Sequence, residues 1–290
     1  MRILELLSQS HFLRVLRRKL PITAVVIVCV AFAVVFVFPY AYIAISSFKP
    51  RLEVISSNPT FWPKTWLTLE NFKELFSRIP VGRYIFNSFV IAAANVVLCV
   101  SLGTLASYAI SRSMYRASTF FFLIVLCLKM IPIPSIVVPI YEIVTWLGIH
   151  DTHIALIFVS GTINLPFVIW VMLGFYEGIS RSLDEAAIVD GAGPFVTYFR
   201  VILPLSLPGV ATVSIFTFFS SWNNFLLPLL LTSTRVKTFP VAIADFMGQY
   251  TQDYGALYAA SFIFSFPALI LCIILQKYIV NGFTAGAVKG

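Results

Sequence analysis

Residues 201–234 read VILPLSLPGVATVSIFTFFSSWNNFLLPLLLTST, 34 residues without one charge. The hydrocarbon layer of a bilayer is roughly 30 Å thick and a helix rises about 1.5 Å per residue, so about 20 apolar residues cross it and this stretch is long enough. Reading outward, 29 uncharged residues lie between Lys19 and Lys49, 28 between Arg83 and Arg112, 25 between Asp151 and Glu177, and 23 in residues 254–276. A sixth stretch, residues 117–141, is interrupted only by Lys129. With 59% of the 290 residues hydrophobic and 11% charged, a soluble fold would lack the polar surface to cover itself. The expected fold class is all-α, a polytopic membrane protein with six transmembrane helices, at approximately 21–47, 84–111, 117–142, 153–176, 206–232 and 254–276, in one domain covering residues 1–290.

The first apolar segment follows Arg14, Arg17, Arg18 and Lys19, but it is too long for a cleaved signal and no small-residue cleavage site follows it, so it reads as a retained helix. Lys and Arg resist translocation, and placing the amino terminus inside puts eleven of them in inner segments against eight in outer ones. Both termini are therefore expected in the cytoplasm. The net charge of +8 is spread over span ends with no aromatic-interleaved patch, which argues against nucleic acid. Cys29, Cys99, Cys127 and Cys272 fall inside spans without metal-like spacing and read as small packing residues.

The longest inner segment carries the most information. Residues 182–209 read SLDEAAIVDGAGPFVTYFRVILPLSLPG. Ser182 and Glu185 stand at capping-box spacing, Asp184 lies near the positive end of the helix they would open, and Gly191 permits the left-handed turn that would close it. A second short helix can start at Gly193 and Pro194 with Phe195, Phe199 and Ile202 at helical spacing, before Pro204 and Pro208 redirect the chain. The expectation is a compact helix-turn-helix on the cytoplasmic face, residues 178–205. In the first outer loop Thr68, Glu70 and Asn71 precede an apolar pattern at Phe72, Leu75 and Phe76, which predicts a short amphipathic helix.

Glu185, Ala186 and Ala187, then Asp190, Gly191 and Ala192, then Ile202, Leu203 and Pro204 resemble in order and spacing the EAA loop of binding-protein-dependent ABC importer permeases. Leu165, Pro166 and Phe167, the trio Trp222, Asn223 and Phe225, and residues 68–72 resemble the carbohydrate branch of that family. The resemblance implies a coupling helix seated in a groove of a separate ATPase subunit, with Asp184, Glu185, Ala186, Ala187, Asp190, Gly191, Ala192 and Phe195 forming the coupling site. Glu185 would be its polar anchor, Gly191 its turn, and the two alanines would allow close approach. It also implies two ATPase subunits that bind ATP and Mg, a second permease subunit of related but different sequence, an extracytoplasmic solute-binding protein, a saccharide substrate, and a bacterial or archaeal inner membrane. The carboxyl-terminal tail, residues 277–290, is similar to the branch's end, which reaches between the ATPase subunits.

The sequence contains no G-x-x-x-x-G-K-[ST] loop to cradle ATP and no clustered acids or Ser-His-acid set, so an enzyme is not expected, and no cofactor is expected on this chain. His150, Asp151 and His153 form an incomplete metal ligand set at a span boundary. Lys129, Trp222, Asn223 and Asn224 are the candidate pathway residues: a cation within a span should face protein or water, and amides beside flat rings suit a sugar. A pathway-facing Lys129 would suit an acidic oligosaccharide. Against this stands a structural role, in which the ammonium satisfies carbonyls freed by Pro132, Pro134 and Pro139, and for the asparagines helix-to-helix hydrogen bonding. The alternative function is an ion-gradient-driven transporter, for which only Glu142 and His153 near span edges supply further ionisable groups.

Overall fold

The computed structural model describes residues 22–113, 116–249 and 253–287; the basic amino-terminal cluster and Lys289 lie outside them. Among the described residues every regular element is helical. Four helices are long and apolar enough to cross a membrane, or up to six if each of two bent pairs is one span. The chain divides into two compact units.

The first unit runs to Lys73 and takes in Tyr254–Phe262. Its helix α1 (Ile22–Ser47) has no apolar stripe: Val25 through Phe38 are exposed around the whole circumference, the signature of a helix meant for lipid or another apolar chain. After α1 come α2 (Arg51–Val54) and α3 (Glu70–Arg78), the amphipathic helix expected in the loop, and the Thr68 hydroxyl accepts from the Glu70 amide at its start. The buried Asn71 amide donates to the carbonyls of Ser47 (2.9 Å) and Lys49 (2.8 Å), tying α3 to the end of α1.

The second unit is built on α4 (Val81–Arg112) and α7 (His153–Glu177), which pack along their lengths in the same direction. Four polar contacts set the register: Asn87 with His153, Asn95 with the Ile157 carbonyl, Cys99 with the Gly161 carbonyl, and Arg112 with the Tyr176 carbonyl. Small residues allow the approach. A Cβ on Gly103 would lie 2.6 Å from the Val168 side chain.

Because α4 and α7 run parallel, the chain between them must return, and it does so through α5 (Arg116–Lys129) and α6 (Ile133–Trp146). These are bent by 97° at the break, so the candidate span at 117–142 consists of two helical pieces, parted at prolines from which broken helical hydrogen bonding was expected. The cause is local: Pro132, in extended conformation, precedes a helix with Pro134 in its first turn, and prolines end a helix by removing an amide donor and disfavouring the helical conformation just before them.

Three short elements follow α7: α8 (Ser182–Val189), α9 (Pro194–Thr197) and, after a π-helical segment Tyr198–Ile202, α10 (Leu203–Leu205). Then α11 (Leu207–Trp222) returns antiparallel to α7, with Ser220 and Ser221 on Asn164 and, further along, the Leu231 carbonyl accepting from the Asp151 amide. The candidate span at 206–232 is likewise not one helix. It is interrupted at Asn223–Phe225, where the Asn224 side chain accepts from the Leu227 amide to start α12 (Leu226–Leu231).

After α13 (Phe239–Gln249), α14 (Tyr254–Ala287) continues as helix well past 276, so through Ala287 the expected tail is helical. Of the cysteines only Cys99 packs in a core; Cys29, Cys127 and Cys272 are exposed.

Candidate functional site

The bend after α7 has the expected turn and an unexpected start. Gly191 takes φ +81°, its amide donates to Ile188 O (2.9 Å), and the Ala192 amide donates to Ala187 O (2.8 Å), the two bonds of a Schellman closure. No capping box exists. Arg181 occupies the N-cap without a side-chain bond, and the Ser182 hydroxyl pairs with Ser180 instead of reaching a helix amide, because helical geometry already begins at Arg181. The second helix is likewise shorter than expected: after Thr197 the winding loosens into the π segment, which moves Phe199 and Ile202 off the α register.

Side chains from α4 hold the bend in place. Arg112 Nε pairs with Asp184 Oδ2 at 2.9 Å, and the Tyr108 hydroxyl donates to Asp184 Oδ1 at 2.5 Å. The other two Arg112 nitrogens donate to the carbonyls of Tyr176 (3.2 Å) and Ile179 (3.3 Å) where α7 ends. Arg181 donates to Ser111 O (2.9 Å), and the Tyr198 hydroxyl to Thr104 Oγ1 (2.7 Å). Tyr108 packs against the rings of Tyr176 and Tyr198.

Asp184 and the buried Ala187 therefore face inward, whereas Glu185, Ala186, Asp190 and Gly191 are exposed, Ala192 is half-buried, and Phe195 is 72% exposed. Around them stand Ile188 at 63% and Val189 at 87% exposure. The bend thus presents an apolar surface edged by Glu185 and Asp190. Sequence reasoning missed Tyr108, Arg112, Arg181, Ile188 and Val189. Arg112 did carry a signal, as the charge closing an apolar span at a helix's negative end.

The candidate pathway residues do not form one cluster. Lys129, at the end of α5, donates from Nζ to the Ile163 carbonyl at 3.0 Å, in the turn before Pro166. The carbonyl it satisfies belongs to α7, not to the turns opened by Pro132, Pro134 or Pro139. Trp222 is 1% exposed, stacked between Phe218 and Phe264, with its indole N–H unpartnered. Asn223 is exposed at the break, and Asn224 caps α12.

At the other end of α7, His150, Asp151 and His153 do not converge, and no metal-type cluster occurs among the described residues. His150 packs on Tyr141 and His153 bonds Asn87. Asp151 takes φ +56° and accepts from the backbone amides of Ser233, Thr234, Arg235 and Val236 at 3.0 to 3.1 Å. Burial pushes its carboxyl up, but the four amides outweigh it and hold it down at about 2.

Residues 99–284 match the family described as the binding-protein-dependent transport system inner membrane component, and the chain belongs to that family. It is 36% identical, over 89% of its length and 92% of the relative's, to a probable ABC transporter permease protein, y4oR, of Sinorhizobium fredii. It is 34% identical to the trehalose/maltose transport system permease protein MalG of Thermococcus litoralis, over 91% of this chain and 96% of that one. Its fold is similar to a chain of a bacterial ABC transporter involved in import of the acidic polysaccharide alginate, with a TM-score of 0.75 over 93% of this chain and 98% of that one at 21% identity. The two sequence relatives are named as transport permease proteins, not as enzymes.

Proposed function

We propose that this chain is a membrane-spanning permease subunit of an ATP-driven ABC importer for an oligosaccharide, and that the bend of α8 to α10 receives the mechanical stroke of separate ATPase subunits. One observation carries the coupling role. The bend is braced from behind by Arg112 and Tyr108, yet offers Ile188, Val189 and Phe195 to the outside, and an exposed apolar surface with an acidic edge on a rigid mount is a surface built for a protein groove. On this reading the bend lies on the cytoplasmic side, α5 with α6 makes one crossing and α11 with α12 another, and the chain crosses the inner membrane six times. ATP and Mg belong to the ATPase partners. A solute-binding protein delivers the saccharide on the other side, and a second permease completes the channel.

Family membership supports this assembly, as does the naming of relatives for sugar transport systems. The experiment is purification of the full chain from its native membrane. Co-purification of ATP-hydrolysing subunits, with hydrolysis stimulated by the cognate solute-binding protein, is the expected result, and a preparation that brings down no ATPase refutes the reading.

The saccharide is proposed to be acidic, on the single ground of Lys129. Its ammonium, at a helix break within the apolar layer, has one of three donors engaged by Ile163 O, which leaves charge and donors for a carboxylate on the solute. Lys129→Gln should cut transport of an acidic oligosaccharide about tenfold more than that of a neutral one, since a charged hydrogen bond contributes about 1.5 kcal/mol or more. Equal losses on both sugars would remove the charge argument.

A further inference from the structure

The braces of the bend converge on one stretch of one helix. Arg181 reaches Ser111, Asp184 reaches Arg112 and Tyr108, and Tyr198 reaches Thr104, all within the last turns of α4. Arg112 is the junction: each guanidinium nitrogen serves a different target, Nε the Asp184 carboxylate, the other two the carbonyls of Tyr176 and Ile179 at the end of α7. The guanidinium also lies over the Tyr108 ring, 5.7 Å from its centroid. Both charged side chains are largely withdrawn from solvent, at 15% and 14% exposure, where an ion pair is poorly screened and loss of one partner strands the other. The route from the bend to α11 is built differently. It passes through the loosely wound π segment Tyr198–Ile202 and a 79° bend next to Ser206, with no charged pair across it among the described residues.

We infer that Arg112, Asp184 and Tyr108 form a latch that makes the bend one rigid body with the C-terminal ends of α4 and α7, so that displacement of the bend is delivered to those two helices first and reaches α11 through a softer link. The inference rests on the function proposed above and adds the positioning residues through which the stroke passes. The latch residues act through other groups and touch neither nucleotide nor solute.

The test uses the complete importer in lipid nanodiscs, with ATP hydrolysis measured with and without its solute-binding protein. The readout is the ratio of stimulated to unstimulated rates, alongside the amount of ATPase subunit retained. A merely structural role lowers retention and both rates together, whereas a latch role lowers the ratio. Arg112→Gln and Asp184→Asn are each expected to lower the ratio about tenfold, within the usual span of coupling between sites. Arg112→Lys is expected to keep a larger ratio than Arg112→Gln, because its ammonium can retain the ion pair with Asp184. A ratio unchanged in either Arg112→Gln or Asp184→Asn, or an Arg112→Lys no better than Arg112→Gln, overturns the latch. If a charge variant fails to assemble, Tyr108→Phe decides: it deletes one hydroxyl without stranding a charge and should lower the ratio about tenfold, the effect of one hydrogen bond to a charged group, and an unchanged ratio overturns the proposal. Should the wild-type chain retain no ATPase at all, the proposed function itself falls. A wild-type complex that is stimulated normally alongside insensitive variants removes the latch alone.

Discussion

The two ends of α7 are each organised around an aspartate, and they are finished in opposite ways. Before the helix, Asp151 is satisfied by four consecutive backbone amides, and Asn87 and Arg83 donate to the carbonyls of the same loop. The apolar residues of that segment, Val236 and Phe239, are buried. Beyond the helix, Asp184 is held by side chains, through an ion pair with Arg112 and a hydrogen bond from Tyr108, and the segment it belongs to turns Ile188, Val189 and Phe195 outward. The first segment is complete within the chain. The second is braced on its back and unfinished on its front. An anchored aspartate therefore does not separate a structural loop from a docking one; the direction in which the apolar side chains face does.

That contrast can be broken at either end. The largest effect is expected from Gly191→Pro, which cannot take a positive φ and deletes the amide that closes on Ile188; the local cost of about 3 kcal/mol or more should unmake the bend and abolish retention of ATPase subunits. Gly191→Ala separates backbone from bulk, since nothing lies within 4 Å of an added Cβ, and it should cost only about 1–2 kcal/mol.

Next comes Asp151→Ala, which strands four amides and places alanine at φ +56°. We expect about 2 kcal/mol of local destabilisation, read as faster hydrogen exchange at residues 233–236, with ATPase retention intact. Because the carboxyl titrates at about 2 and an ordinary aspartate at 3.8, the wild-type clamp should be at full strength above about pH 4 and weaken as pH falls through about 2. Hydrogen exchange at 233–236 that does not depend on Asp151 would refute the clamp.

The smallest effect on stability, below about 0.5 kcal/mol, is expected from Ile188→Ser with Val189→Ser, since both side chains are already exposed. The same pair should sharply reduce ATPase retention. Unaltered retention would show that the front of the bend is not the docking face.

Much of this was legible beforehand. Runs of 25 and 28 uncharged residues gave α7 and α4 to within a few residues, because length and the lack of charge suffice for a straight crossing. The same criterion failed where proline density or a helix-terminating asparagine overrode hydropathy, at Lys129–Ile133 and Asn223–Phe225. Gly191 was readable since only its residue type suits the left-handed turn, but the capping box was not: Ser182 and Glu185 fit the pattern, and the actual start one residue earlier depends on Arg181 being held to Ser111 by the fold. The inward turn of Asp184 has the same origin. Its partners lie 72 and 76 positions away on a helix whose rotation the sequence does not state.

The uniform apolarity of α1 has a consequence of its own. From Val25 to Val37 the rod is greasy on every side and holds no information about its azimuth; its last two turns do, with Tyr42 against Phe61 and Tyr258. What the chain does specify is the footing, where one carboxamide, that of Asn71, grips the carbonyls of Ser47 and Lys49. The compass bearing of the mast above is handed up from that footing, so its neighbours in the membrane meet a face already chosen.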